Sequence, residues 1–185
     1  MLPESSVMAR PPLRSYTEKF KTPDTWSLTT LGVIHSPHTQ RFGAPRQPSA
    51  QGEPGQVKAE GAKLILNEKL VVAEMLHDLE GFERIWLIGA FHLNQGYKAK
   101  PTPPRGPKIP RGLYATRAPH RPNGLSLSCC ELVKVEGHVL HLGTLDFLDG
   151  TPIFDIKPYL PYADAFPESR AGWVDSLDPN EPPRR

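Results

Sequence analysis

The chain has 185 residues, a length for one domain, and 22 Lys and Arg against 20 Asp and Glu leave a net charge of +2, which by itself marks no nucleic-acid binder. Its 22 prolines are more than twice the roughly 5% share of average proteins, and with 15 glycines they exclude a long helical bundle. No apolar run approaches the ~18 residues of a membrane-spanning helix, and a hydrophobic content of 38% suffices for one modest core.

Residues 1–27 open with MLPESSVMARPPLR, mix Pro, Ser, Thr and charge, and are expected to form a flexible arm without the apolar centre of a secretory signal. Ser27–Ile34 predicts a first strand, ended by the turn signal His35-Ser36-Pro37. Residues 38–55 form a polar loop carrying Pro45, Pro48 and Pro54, and Gln56–Leu66 holds a short strand around KLIL. Glu68–Leu79 predicts the one helix: Leu70, Val71, Met75 and Leu79 recur at helical spacing, and Gly81 stands where a C-cap glycine belongs. Phe82–His92 predicts a strand, continuously apolar from Ile85 to Phe91 and so buried on both faces.

Arg111–Arg117, Leu125–Val135 and His138–Asp146 predict three further strands, the last two joined by a tight turn at Glu136-Gly137. The adjacent Cys129 and Cys130 point to opposite faces of such a strand, so neither a disulfide nor, without nearby partners, a zinc site is expected. A reduced, cytoplasmic protein without a metal is the expectation. Residues 147–163 return along the sheet with turns at Asp149-Gly150 and Pro158, and residues 174–185 are expected to fray. The fold class predicted for residues 28–173 is mainly β: a small closed or nearly closed β-barrel with one helix packed on it and long Pro-rich loops. Strands do not alternate with helices and no GxGxxG occurs, which disfavours a doubly wound nucleotide-binding sheet.

The near-neutral total hides an asymmetry. From Gly96 to Leu125 there is no Asp or Glu, while Lys98, Lys100, Arg105, Lys108, Arg111, Arg117 and Arg121 stand there with His120, splayed on loops by seven prolines. Cations spaced in this way attract a phosphate backbone; a solvated loop that only keeps the protein soluble is the plain alternative. The acids Asp146, Asp149, Asp155 and Asp164 follow. Brought against the cations, they would suit a zwitterionic ligand or a base beside a phosphate.

Four segments stand in order: FGAPRQP at Phe42–Pro48, YATRAPHRPN at Tyr114–Asn123 leading into Gly124-Leu125-Ser126, LDFLDGTP at Leu145–Pro152, and DIKPYLPYAD at Asp155–Asp164. With Leu79–His92 between the first two, the set resembles the TsaA-like family of TrmO-type tRNA methyltransferases, from about Leu31 to Trp173. The resemblance implies a compact β-barrel, a homodimer with the cofactor site near the subunit interface, and S-adenosyl-L-methionine as cofactor. It implies methylation of N6-threonylcarbamoyladenosine beside the anticodon of threonine tRNAs. Carried over by position, cofactor contacts fall on Pro45, Arg46, Gln47, His92, Leu93, Arg117, Leu125, Gly143, Thr144, Leu145 and Asp146. A guanidinium suits the cofactor's carboxylate and a carboxylate such as Asp146 suits its sulfonium. Two departures stand out. The family's RPNPIGLS is here Arg121-Pro122-Asn123-Gly124-Leu125-Ser126, two residues shorter, and its His-Gln is here His92-Leu93, with Gln95 two places on.

For direct methyl transfer the protein's work is positioning and electrostatics. The acceptor proton has candidate receivers in Asp155, Tyr159 and His92, while Lys157 would meet the threonyl carboxylate or a phosphate. Lys98, Lys100, Arg105, Lys108, Arg111 and Arg121 are the candidate RNA contacts. Two other readings predict different behaviour: a non-enzymatic S-adenosylmethionine-binding regulator would bind cofactor without turnover, and a plain RNA-binding module would bind RNA without cofactor.

Overall fold

The computed structural model describes residues 22–40, 43–47, 61–143 and 145–178. The arm's residues 1–21, most of the polar loop before Gly61, and Thr144 lie outside them. Six strands form a closed barrel: β1 (Gly32–His35), β2 (Lys63–Leu66), β3 (Arg84–Ala90), β4 (Leu125–Glu136), β5 (Val139–Leu142) and β6 (Pro152–Pro158), in the order β1-β2-β5-β4-β3-β6. Neighbours run antiparallel, and Gly32 opposite Ile153 and Val33 opposite Pro152 close the ring. Closure leaves no unpaired sheet edge.

Alternate residues of each strand fill the interior, as a period of two requires. Ile34, Leu64, Ile85, Leu87, Leu140 and Ile153 are fully buried there, each stabilising the fold by about 1.5–3 kcal/mol. Strand β3 is buried on one face only: Ile85 and Leu87 point in, whereas Trp86, Ile88 and Ala90 remain half-exposed outside, so its continuous apolar run reflects an apolar outer surface rather than a second core. The β4–β5 turn is Gly137-His138, with Glu136 paired to Val139, one residue later than expected. Gly137 takes φ 58°, which favours glycine.

Two expected elements do not form. Glu68–Leu79 is not a helix. It breaks into 3-10 turns at Ala73–Leu76 and Leu79–Gly81, separated by Asp78 at a left-handed φ of 64°. The Asn67 side chain accepts from Lys69 N–H and its carbonyl from Leu70 and Val71 N–H, turning the chain at once. Of the apolar stripe only Val71 is buried, while Leu70 and Met75 face solvent, so a cylinder has no groove to fill here. Gly81 accordingly ends a 3-10 turn. Arg111–Arg117 is no strand either: a 3-10 turn at Leu113–Ala115 is pinned by Arg111 N–H to Pro101 O and Leu113 N–H to Ala99 O, with Leu113 its one buried residue. The expected first strand shortens to Gly32–His35, and His138–Asp146 keeps strand geometry only to Leu142.

After β6 comes a single helical turn, α1 (Pro161–Asp164), entered by Pro161 at its first position. A 3-10 turn at Gly172–Ser176 then lays Trp173 on the basic loop, its indole N–H donating to Ala115 O at 2.8 Å and its ring lying 5.2 Å from the Arg111 guanidinium.

Candidate functional site

One end of the barrel collects the polar groups. There β1 leaves, β6 enters, β3 ends and β4 begins, so the loops Ser36–His38, Leu145–Gly150, His92–Asn94 and Arg117–Gly124 adjoin. Ser36 and Asp149 lock two of them: Ser36 N–H donates to Asp149 Oδ1, Ser36 Oγ to Phe147 O, and Asp149 N–H to His38 O. Asp149 thus holds the turn together. His92 Nε2 comes within 3.6 Å of where a Cβ on Gly150 would stand.

Asp146 lies beneath this rim. Ser128 Oγ donates to its Oδ1, and Cys130 Sγ donates to Ser128 Oγ. Burial pushes the Asp146 carboxyl up to about 6, against the downward pull of the Ser128 hydrogen bond and the Arg117 charge. Arg117 in turn donates from Nη1 to Gln47 Oε1 at 3.2 Å, which ties the first polar loop to the basic loop. Two more polar atoms are buried here without a hydrogen-bond partner in the structure, Ser126 Oγ and His38 Nε2, and burial lowers the His38 pKa. One carboxylate, one guanidinium, an amide and spare hydroxyl and imidazole groups in one place suit a small zwitterionic ligand.

Of the residues expected to hold a cofactor, Gln47, Arg117 and Asp146 are therefore linked by contact or charge. Pro45 and Arg46 precede Gln47, with Pro45 half-buried and Arg46 exposed. Leu145 is buried in the core, and Gly143 N–H donates to Glu131 O. His92 lines a cleft of about 410 Å³ with Asn94, Tyr97, Arg121 and Asn123. Leu93 points to solvent. The two-residue-shorter loop closes as one turn, Gly124 N–H to Arg121 O with Gly124 at φ 61°, and Leu125 still opens β4 opposite Ala90.

Asp155, Lys157 and Tyr159 stand elsewhere, on the outer face of the barrel. Asp155 lies across from Ile88 and Lys157 across from Trp86. Asp155 Oδ2 pairs with Lys157 Nζ at 2.8 Å, and Oδ1 accepts from Ile156 N–H. The Tyr159 and Trp86 rings are 5.8 Å apart, and Trp86 Nε1–H donates to Asp164 Oδ2. Leu125 and Leu127 continue this face, exposed. Among the basic residues, Lys98, Lys100 and Lys108 are exposed and Arg105 is half-buried. Arg121 donates to Thr116 O and Ala118 O and stacks on Tyr114, so it holds the loop's shape, as Arg111 does through Trp173.

Ser126, Ser128 and His38 were not anticipated. The signal for the serines was LSLS at Leu125–Ser128, an alternation whose phase only the tertiary structure sets. His38 carried no distinguishing sequence signal.

A family model described as the tRNA-methyltransferase O N-terminal domain matches residues 33–165. The chain is 39% identical over 159 residues to a tRNA (adenine(37)-N6)-methyltransferase of Escherichia coli strain K12, covering 82% of this chain and 65% of that protein. It is 37% identical over 145 residues to a probable S-adenosyl-L-methionine-binding protein of Pyrococcus abyssi, covering 78% and 74%. A crystal structure of TrmO from Pseudomonas aeruginosa superposes with a TM-score of 0.64 at 36% identity, covering 80% of this chain and 62% of that one. The chain thus spans just under two thirds of the length of the Escherichia coli relative.

Proposed function

The chain belongs to the tRNA-methyltransferase O family, matching its N-terminal domain, and from that premise we propose that it is an S-adenosylmethionine-dependent methyltransferase acting on N6-threonylcarbamoyladenosine beside the anticodon of threonine tRNA. The observation that carries this reading is the group Gln47–Arg117–Asp146 at one barrel end, opposite charges placed for a zwitterion under a rim of polar loops. The names of relatives, a tRNA (adenine(37)-N6)-methyltransferase and an S-adenosyl-L-methionine-binding protein, agree with it.

When bound, the cofactor supplies an electrophilic methyl group on a sulfonium. Asp146 would offer that cation a negative charge and Arg117 would offer the carboxylate a guanidinium, with Gln47 bonded to Arg117 and His92 on a neighbouring loop. Bringing acceptor and donor together is the main catalytic contribution. Of the candidate receivers of the acceptor's proton, His92 stands at this end of the barrel; Asp155, Tyr159 and Lys157, on the outer face, would serve the substrate only from across a subunit interface. Because Asp155 and Lys157 face outward beside the exposed Leu125 and Leu127, the reading includes a homodimer through that face, with these residues at the interface. The reading takes the activity as cytoplasmic and assigns it to residues 28–173. Among the described residues no helix is long and apolar enough to cross a membrane.

The test is transfer of label from S-adenosylmethionine to threonine tRNA, with and without its threonylcarbamoyl group. Label only in the modified tRNA is expected, lost in Asp155→Ala with cofactor binding retained and lost in Arg46→Ala with cofactor binding weakened. Cofactor binding without label in either RNA would replace the enzyme by a cofactor-binding regulator; RNA binding without cofactor affinity would replace it by an RNA-binding module.

A further inference from the structure

A second cleft, of about 430 Å³, opens beside the candidate site, lined by Tyr97, Lys98, Pro101, Ala118 and His120 among others. Gly96 and Tyr97 line both clefts, so the second adjoins the one that His92 and Arg121 line. Tyr97 is 58% exposed, although it is an aromatic within a loop otherwise rich in small residues and proline. The walls are braced: His120 Nδ1 is 3.3 Å from Gln95 O, and Arg121 holds the carbonyls of Thr116 and Ala118. A cleft held open in this way loses little order on binding. The surrounding segment Gly96–Leu125 contains no carboxylate, and Lys98 stands at the cleft itself.

An exposed aromatic ring beside a cation, in a positive and braced cleft, is the chemistry that holds an unstacked nucleic-acid base and its phosphate. We propose that this cleft receives a single unpaired RNA base, the neighbour of the nucleotide modified, stacked on Tyr97 with its phosphate on Lys98. The proposal rests on RNA being the substrate. It adds a residue that selects the conformation of the RNA: a base paired within a duplex has no free face for Tyr97, so the substrate must present two consecutive splayed nucleotides, one to each cleft.

The probe is an RNA hairpin whose loop carries 2-aminopurine next to a target adenosine bearing the N6-threonylcarbamoyl group. Binding to the wild-type protein is expected to change the probe's fluorescence through stacking. Tyr97→Ala is expected to weaken binding about 5- to 150-fold, the range that follows from removing one base–aromatic stack, and to abolish the fluorescence change. Tyr97→Phe restores both, and calorimetric affinity for S-adenosylmethionine is unchanged in either variant. In turnover the Ala variant raises KM for RNA and leaves kcat within a few-fold. Unchanged RNA affinity and fluorescence in Tyr97→Ala would overturn the proposal, as would a loss of cofactor affinity instead, which would make the cleft part of the cofactor's own site. If the wild-type protein stacks the probe but transfers no methyl group, the base site stands and the methyltransferase reading falls. If it transfers methyl groups without stacking the probe, the reverse holds.

Discussion

Asp146 is a carboxyl held under electrostatic tension. A carboxyl that titrates at 3.8 when exposed is raised to about 6 in the fold by burial. Between those values the folded chain holds the proton more often than the unfolded chain, so stability falls as pH rises through that window. Below it the effect vanishes; above it the cost is complete, on the order of 3 kcal/mol at most. Asp146→Asn keeps an oxygen for Ser128 to donate to and escapes the charge. The variant is expected to match wild type in urea unfolding near pH 4, to exceed it by up to about 3 kcal/mol at pH 7, and to lose cofactor affinity. Equal stability at pH 7 would mean that the carboxylate is hydrated after all. Such a cost makes sense for a site awaiting a cation, because the ligand's charge offsets the burial. Asp146 was legible in the sequence as a candidate cofactor contact. Its Ser128 partner was not, because residues 18 positions apart meet only through strand pairing.

The first part of strand β4, Leu125–Ser128, is inverted relative to the usual polarity of a barrel. Ser126 and Ser128 point inward and are buried, whereas Leu125 and Leu127 point outward and are exposed. The reason lies in its neighbour: Ile88 pairs with Leu127 and Trp86 with Cys129, so the outer face of β3 and β4 is one apolar surface running on to Asp155 and Lys157 of β6. An apolar sheet face left in water is costly, which is why a second copy fits there in the proposed dimer. Leu127→Glu is expected to yield a folded monomer in sedimentation velocity, with its thermal midpoint nearly unchanged since the side chain is exposed. A variant that still sediments as a dimer would place the interface elsewhere, and a wild-type monomer would remove the dimer altogether. Alternation in LSLSCC predicted the strand but not which set of residues faces in.

At the scale of the whole chain, the Trp173 turn acts as a strap across the basic loop. Besides its bonds to Ala115 and Arg111, Leu177 packs so close to Gly106 that a Cβ there would clash. A loop with few apolar anchors of its own, Leu113 the main one, gains order from outside. Trp173→Ala is expected to speed hydrogen exchange at the amides of Arg111 and Leu113 by an order of magnitude or more, while the β3 amides keep their protection. Uniform exchange across both regions would show that the strap does no ordering. In the same variant RNA affinity falls and its salt dependence flattens, by about 0.7 in logarithmic slope for each single-strand phosphate no longer neutralised.

The sequence by itself determined the barrel class, the strands Lys63–Leu66, β3 and β4 to within a residue or two, the acid-free basic loop, and the family whose motifs run in order along the chain. Those are properties of local pattern and composition. Only the tertiary structure decided that the apolar stripe of Glu68–Leu79 would break into turns: Val71 is buried, Leu76 and Leu79 pack partly against the core, and Leu70 and Met75 are left in solvent, an arrangement that one helical face does not provide. It alone put two serines inside and two leucines outside, drew Gln47, Arg117 and Asp146 to one end, and sent Asp155 and Lys157 to an outer face. Side-chain phase, closure and the meeting of distant loops depend on strand register, and register is a property of pairs of segments rather than of either one.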